Sequence, residues 1–299
     1  LQAPGAFAAE AGRLERTAAF EGRKTVMRLD VCLEMVFTDL PAEERIARIA
    51  QAGYRAVEFW FHDATFDGSG CPPGTGKDAD AVRQACEQAG VELNNVVVNA
   101  PDGSFGGSPV DSRDLQKYLE RTEEVIAFAK RAGCSKAITC TGNLVPGLER
   151  PAMRANLEKA LGAAAEIAQR NGFTLLLEPL NTHVDHPGYY LDSSSEGAQI
   201  VRAIGSPSLK LLYDVYHMQI MEGNIIASVR RHADVIGHFH SAGVPGRHEH
   251  FETELNYPAI LKAIEQTGYE GCFGLEYQPA MQDHLDSLVR VREYLEGRA

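Results

Sequence analysis

From residue 29 to its end the chain alternates short, almost wholly apolar runs with longer stretches in which apolar residues recur every three to four positions. LDVCLEMVF (29–37) precedes PAEERIARIAQAG, and AVEFW (56–60) precedes, after a Gly/Pro-rich loop, DADAVRQACEQAG. VELNNVVVN precedes DLQKYLERTEEVIAFAKRAG, and KAITCTG precedes ANLEKALGAAAEIAQRNG. FTLLLEP, LKLLYDVYH, VIGHFHS and GCFGLEY then precede SSEGAQIVRAIG, NIIASVRRHA, PAILKAIEQTG and HLDSLVRVREYLEG in turn. The pattern predicts eight strand–helix pairs. Six of the helices are expected to end on a left-handed glycine: Gly53, Gly90, Gly133, Gly172, Gly205 and Gly268. Apolar strands alternating with helices imply a parallel sheet covered on its outer face. Eight such units in about 270 residues favour an α/β fold of the closed (β/α)8 TIM-barrel type over an open doubly wound sheet. No GxGxxG follows the first strand, so a dinucleotide is not expected.

Four of the later strands end in a residue that can bind a divalent metal: Glu178 in FTLLLE, Asp214 in LKLLYD, His240 in VIGHFH and Glu276 in CFGLEY. Their spacings of 36, 26 and 36 residues are each about one strand–helix unit, which delivers three carboxylates and one imidazole to the same end of a barrel. Polar residues commonly end strands, but four ionisable ones in succession are poorly explained as caps. Residues two apart on a strand share a face, so Leu176 and Glu178, Leu212 and Asp214, His238 and His240, and Gly274 and Glu276 are expected to point inward. Glu58 ends strand two and is a candidate supporting or substrate contact at the same rim. Three carboxylates and an imidazole suit a hard or borderline ion, Mn2+ or Mg2+, better than a structural zinc.

Composition narrows the partners. A net charge of −12 without clustered Lys and Arg disfavours nucleic acid, and no apolar run approaches the ~20 residues of a membrane helix. Cys32, Cys71, Cys86, Cys134, Cys140 and Cys272 form no CxxC pair, as expected of reduced, buried thiols in a cytoplasmic protein. Residues 1–26 lack a secretory apolar core, and Met27 directly precedes the first convincing strand. They read as an N-terminal extension outside a single barrel domain spanning 27–299.

LEPLNTHVDHPGYYL, YDVYHMQ, IGHFHSAGVPGRHE, ELNYPAILKAIEQTGYEGCFGLEYQP and the early EMVFTDLPAEERIARIAQAGYRAVEFW together resemble the hydroxypyruvate isomerase family of the xylose-isomerase-like barrels, to which the ketose 3-epimerases are also related. The resemblance covers nearly the whole chain after Met27. It implies one Mn2+ or Mg2+ held by Glu178, Asp214, His240 and Glu276, substrate contacts from His217 and Arg247, and a homo-oligomer, dimer or tetramer. Two departures bear on substrate. The third ligand is often Gln in hydroxypyruvate isomerases but is His240 here, as in the 3-epimerases, and after EPLNT an Arg is replaced by His183 with a longer HVDHPG loop.

The expected substrate is a small α-hydroxycarbonyl compound, either a hydroxypyruvate-like keto acid or a short sugar. A metal polarising its carbonyl makes the neighbouring carbon acidic enough for a carboxylate base. Return of the proton to the adjacent carbon isomerises, and return to the opposite face epimerises. Glu178 and Glu276, from opposite sides of the barrel, are the expected catalytic carboxylates. His217 can donate to a developing oxyanion, and Arg247 can fork onto a carboxylate or a pair of hydroxyls. Asn143, His183 and Trp60 are further candidate substrate contacts, with Trp60 and Phe61 forming an apolar wall. His186, His248, Glu249 and His250 lie on loops at the same rim, and the segment 67–76 reads as a closing loop. A lyase or decarboxylase on an oxo-sugar acid would use the same chemistry. An apurinic-site endonuclease would need further ligands on strands two and three, yet strand three ends at Asn99. A catalytically silent sugar-binding barrel would need no proton-transfer carboxylates.

Overall fold

The computed structural model describes residues 27–64 and 76–297. The N-terminal extension and nearly all of the 67–76 loop lie outside the described residues. Strand β1 (Arg28–Cys32) pairs in parallel with β2 (Ala56–Glu58) and with β9 (Cys272–Leu275). From β9 the sheet continues through β8 (Ile236–Ser241), β7 (Leu209–Asp214), β6 (Thr174–Leu177) and β5 (Lys136–Thr139) to β4 (Val96–Val97). Strand β3 (Glu92–Leu93) pairs with β2 at the other end of that order. The two ends are consecutive in the chain, and Asn94 N donates to Val57 O at 2.8 Å while Val97 N donates to Trp60 O at 2.7 Å. The sheet therefore returns on itself with eight strand positions, the third split where Asn94 and Asn95 leave the ladder. VELNNVVVN, expected as one strand, is two because both Asn side chains turn inward onto carboxylates, Asn94 onto Asp30 and Asn95 onto Glu58.

The outer layer is formed by α1 (Ala42–Gln51), α2 (Ala79–Ala89), α3 (Leu115–Ala132), α4 (Arg150–Arg170), α5 (Ser194–Ile204), α6 (Val215–Met221), α7 (Ile225–His232), α8 (Tyr257–Glu265) and α9 (His284–Leu295). All six expected terminal glycines have positive φ, from +62° at Gly172 to +94° at Gly53. Asp78, Ser193, Asn256 and Asp283 each cap a helix start by accepting a backbone N–H, worth about 1 kcal/mol apiece. Three expectations needed correction. Strand one stops at Cys32 and turns through a short 3-10 segment, Leu33–Met35, instead of running to Phe37. LKLLYDVYH is not all strand, because Asp214 caps α6 and converts the chain to helix at Val215. The fourth expected strand, KAITCTG, is β5 and ends at Thr139, so Asn143 is not at its end but beyond it, in an isolated bridge to Tyr189.

Alternation along the strands divides the core. Leu175, Leu177, Leu211, Tyr213, Phe239 and Phe273 pack under the helices, whereas Val97, Ile138, Leu176 and Leu212 form a separate cluster inside the barrel with Phe61, Ala64 and Ala100. The rest of the interior is polar: Asp30, Glu58, His238 and His240 are all essentially inaccessible. A register shift after Leu211 brings Leu212 opposite His238 and Asp214 opposite His240, and His240 in turn lies opposite Gly274. A Cβ at Gly274 would stand 2.7 Å from His240 Cδ2 and 3.0 Å from the Phe239 carbonyl, so the imidazole occupies space that only glycine leaves. Cys32, Cys86, Cys134, Cys140 and Cys272 are free and buried, as expected, while Cys71 lies outside the described residues.

Candidate active site

At the C-terminal ends of the strands a cavity of about 510 Å³ opens between the loops that follow them. Its apolar lining comes from Trp60, Phe61, Phe105, Val97, Ile138 and Leu180. Its polar lining comes from Glu178, Asp185, His186, His217, Arg247 and Glu276, together with Asp102, Ser104 and Asn143. A mostly apolar cavity with a few converging polar groups is the usual anatomy of a small-molecule site.

Glu178 follows β6 directly and is anchored through its backbone: its N–H donates to Thr139 O at 3.2 Å, and its carbonyl accepts the Tyr189 hydroxyl at 2.9 Å. Asp214 ends β7 and caps α6, its Oδ1 accepting Tyr216 N at 2.7 Å and His217 N at 3.4 Å. That cap fixes the carboxylate and sets His217 on the first turn, its Nε2 3.5 Å from Asp214 Oδ2. Glu276 follows β9, with Oε1 accepting Trp60 Nε1–H at 2.6 Å and Oε2 paired with Arg247 Nη2. One donor atom from each of Glu178, Asp214, His217 and Glu276 lies within 4.8 Å of the others. His240 stands beside them, its Nδ1 3.6 Å from Glu178 Oε1 and 3.5 Å from Glu276 Oε2, neither contact a well-formed hydrogen bond. Its Nε2 faces Glu58 Oε1 at 2.9 Å. Three of the four residues singled out by spacing, Glu178, Asp214 and Glu276, therefore converge with His217 as their fourth member, while His240 groups with Glu58 and His238 and reaches toward Glu178 and Glu276 through Nδ1.

Burial shapes the charges. It pushes the Glu178 carboxyl above its ordinary range, and the Asp214 carboxyl up to about 7. Burial acts the same way on Glu276, but Arg247, and after it His240, outweigh it and hold that carboxyl below its ordinary range. His217 is kept neutral by burial, reinforced by the nearby Arg247 guanidinium. For His240, burial favours the neutral ring, yet Glu58 and Glu276 prevail and raise its pKa well above normal. Two glutamates and an aspartate so close together repel one another, and a cation among them removes that repulsion. Glu178 Oε1 and His240 Nδ1 are buried without a hydrogen-bond partner, as atoms left for a cation would be. The donor set fits the expected divalent cation.

The remaining candidates divide. Trp60, Phe61 and Asn143 line the cavity. Arg247 lines it too, but it is already engaged: besides Glu276 Oε2, its Nε donates to Glu276 O at 3.2 Å, and the guanidinium lies over the Tyr216 ring at 5.0 Å. Glu58 is not among the lining residues. It sits beneath His240, bonded to Asn95 and 3.1 Å from His238 Nε2. His183 is exposed and away from the cavity, whereas His186, on the same loop, lines it. His250 and Glu249 are buried in the fold, on Ser241 and on the 280–287 backbone and Ser287, and His248 contacts Gln278 O. Asn181 and Asp185 are among the site residues that the sequence did not single out. Asn181 Nδ2 approaches His217 Nδ1 at 2.7 Å, and Asp185 accepts the Asn181 amide at 2.6 Å, so this pair sets the orientation of His217. The only sequence signal was their place in LNTHVD, immediately after a ligand-bearing strand.

Comparison with known proteins gives a consistent picture. The family model described as "Xylose isomerase-like TIM barrel" matches residues 46–294. A putative hydroxypyruvate isomerase of Homo sapiens is 32% identical over 286 residues, covering 91% of this chain and 96% of the relative. A 2-oxo-tetronate isomerase of Cupriavidus necator is 32% identical over 254 residues, covering 83% and 91%. The crystal structure of an AP endonuclease, family 2, from Brucella melitensis superposes with a TM-score of 0.79 at 28% identity, covering 90% of this chain and 99% of that one. With barrel, interior carboxylates and sequence in agreement, the chain belongs to the xylose isomerase-like TIM barrel family, beside its hydroxypyruvate isomerase and 2-oxo-tetronate isomerase members.

Proposed function

We propose that this protein isomerises a short α-hydroxycarbonyl compound of the hydroxypyruvate or 2-oxo-tetronate type by moving a proton between adjacent carbons. The observation that carries this reading is the meeting of Glu178 and Glu276, from opposite sides of the barrel, in the polar lining of one cavity. A divalent cation, Mn2+ or Mg2+, held by Glu178, Asp214, His240 and Glu276 would polarise the carbonyl and neutralise charge on its oxygens when bound. His240 as the fourth ligand is supported by its Nδ1, which faces Glu178 and Glu276 without a hydrogen bond, while Nε2 lies 2.9 Å from Glu58 Oε1 as a charge contact without hydrogen-bond geometry.

The chain's own groups account for the rest. Glu178 takes the proton from the hydroxyl-bearing carbon through the carboxylate oxygen left free of the ion and returns it to the former carbonyl carbon, while the hydroxyl proton passes by way of His217 to the former carbonyl oxygen. Neutral His217, steered by Asn181, donates a hydrogen bond to the oxygen that gains charge. Arg247 and Trp60 hold Glu276 across the cavity. Trp60, Phe61 and Phe105 cover the carbon face and exclude water. Nucleic-acid cleavage, suggested by the name of the Brucella structure, is not supported by a chain of net charge −12.

The test is NMR in D2O with the Mg2+-loaded protein and a panel of hydroxypyruvate, 2-oxo-tetronates, erythrulose and hexuloses. Deuterium should enter at the carbon beside the carbonyl of at least one substrate, with the isomer appearing at a matching rate. Absence of both exchange and isomer across the panel, from protein shown to hold its metal, would overturn the reading.

A further inference from the structure

Glu34 and Lys77, which the reaction chemistry above does not use, form a connected chain of contacts that ends on Trp60. Lys77 and Glu34 are an ion pair at 2.9 Å whose side chains are 2% and 0% exposed. All three ammonium protons are placed: besides Glu34 Oε1, Nζ donates to Phe61 O at 2.8 Å and Ala64 O at 2.6 Å, and it sits 4.8 Å from the Phe59 ring centroid. The second Glu34 oxygen accepts the backbone N–H of Trp60 at 3.0 Å. The pair thus ties the segment that leaves β2, residues 59–64, to the turn that leaves β1. From that segment the Trp60 indole crosses the cavity wall, and its Nε1–H donates to Glu276 Oε1.

A buried ion pair is a costly way to gain stability, since apolar residues of similar volume often do as well or better. What it supplies is direction, because its donors and acceptors admit one arrangement of the backbone that carries Trp60. An indole N–H cannot accept and has one donor, so the Trp60 contact fixes which way Glu276 Oε1 points. We infer that Trp60 is a positioning residue for Glu276, and that the Lys77–Glu34 pair is the clamp that aims its indole N–H. This rests on the proposed role of Glu276 in the reaction, while the hydrogen bond itself can be tested without turnover.

Trp60 is the one tryptophan of the chain, so the indole N–H gives a single assignable resonance in a 15N–1H spectrum. In the intact protein that resonance should lie downfield and exchange slowly with solvent. Glu276→Ala should move it upfield and speed exchange, and the double variant Glu34→Gln with Lys77→Met should do so in part, since it removes both buried charges together. If the resonance is unmoved in Glu276→Ala, the hydrogen bond is absent and the inference fails whatever the activity. For the reaction, Trp60→Phe keeps the aromatic wall and loses the donor. Its kcat should fall about ten- to a hundredfold with KM within about twofold, the loss of one charge-assisted hydrogen bond. An unchanged kcat, or a KM effect alone, would make Trp60 a wall residue only. Should the double variant fail to fold, Trp60→Phe decides the positioning role; should it fold with wild-type kcat and wild-type indole shift, the clamp is refuted. Inactivity of the wild type on every substrate would count against the isomerase reading, and the spectrum alone would then decide this one.

Discussion

Replacing Arg247 with lysine separates two roles for its guanidinium. In the structure Arg247 spends two donors on Glu276, one on the carboxylate and one on the backbone carbonyl, with Asp185 4.0 Å from its Nη1. Lysine keeps the charge and can reach one acceptor, but it cannot hold two in a fixed fork. Both bonds have the charged guanidinium as donor and are worth about 1.5–3 kcal/mol each. Losing one of the two therefore costs roughly 1.5–3 kcal/mol, or about ten- to a hundredfold at 1.4 kcal/mol per factor of ten. Both residues have ordinary side chains on the same left-handed backbone, φ +60° at this position, so strain is common to the two proteins. Because the guanidinium acts through Glu276, the loss in kcat/KM should be similar for an acidic and a neutral substrate, measured in parallel by NMR progress curves. A rise in KM of ten- to a hundredfold for the acid alone, with the neutral substrate untouched, would show that Arg247 reads a substrate carboxylate and that its bond to Glu276 is dispensable.

Other outcomes follow from the same geometry. Glu178→Gln, Asp214→Asn, His240→Ala and Glu276→Gln should each weaken Mn2+ binding by calorimetry and remove most activity with the circular-dichroism spectrum retained; full occupancy and turnover in any two would dismantle the proposed metal site. EDTA should abolish activity and added Mn2+ or Mg2+ restore it, and activity that survives verified metal removal would refute metal dependence. Gly274→Ala should displace His240, whose Cδ2 stands 2.7 Å from the new methyl, and so lower metal affinity more than Gly237→Ala, where the crowding atoms, Lys210 Cβ and Cγ and Leu176 Cδ2, belong to no proposed ligand. Equal metal affinities in the two alanine variants would show that His240 does not depend on the space at Gly274.

The barrel and the convergence of Glu178, Asp214 and Glu276, with His240 beside two of them, were legible because both are written in periodicities. Strand–helix length sets the spacing of the four residues, and the two-residue alternation of a strand sets their inward face. The capping glycines were legible for a related reason, since a left-handed terminus admits few other residues. What escaped depends on contacts between residues far apart in sequence. The pairing of Trp60 with Glu276 spans 216 residues, and that of Lys77 with Glu34 spans 43. No local period encodes either. His183 and His186 are indistinguishable in sequence, both loop histidines after the same strand, and only the fold of the 181–188 turn around Asn181 brings one to the cavity and leaves the other in solvent. The helix at Val215 was hidden because Asp214 has two roles, strand end and helix cap, and the apolar run continues through both.

The most direct test of the central claim follows a carbonyl. Hydroxypyruvate labelled with 13C at C2 is incubated with the Mg2+-loaded protein, and the labelled carbon is observed as the reaction proceeds. If Glu178 moves a proton between adjacent carbons, the C2 signal changes from ketone to hydroxyl-bearing carbon while the carbonyl appears at C3, and Glu178→Gln with metal bound does neither. A labelled carbonyl that stays at C2 across hydroxypyruvate and its four-carbon analogues, or one that migrates as fast in Glu178→Gln, would contradict the account.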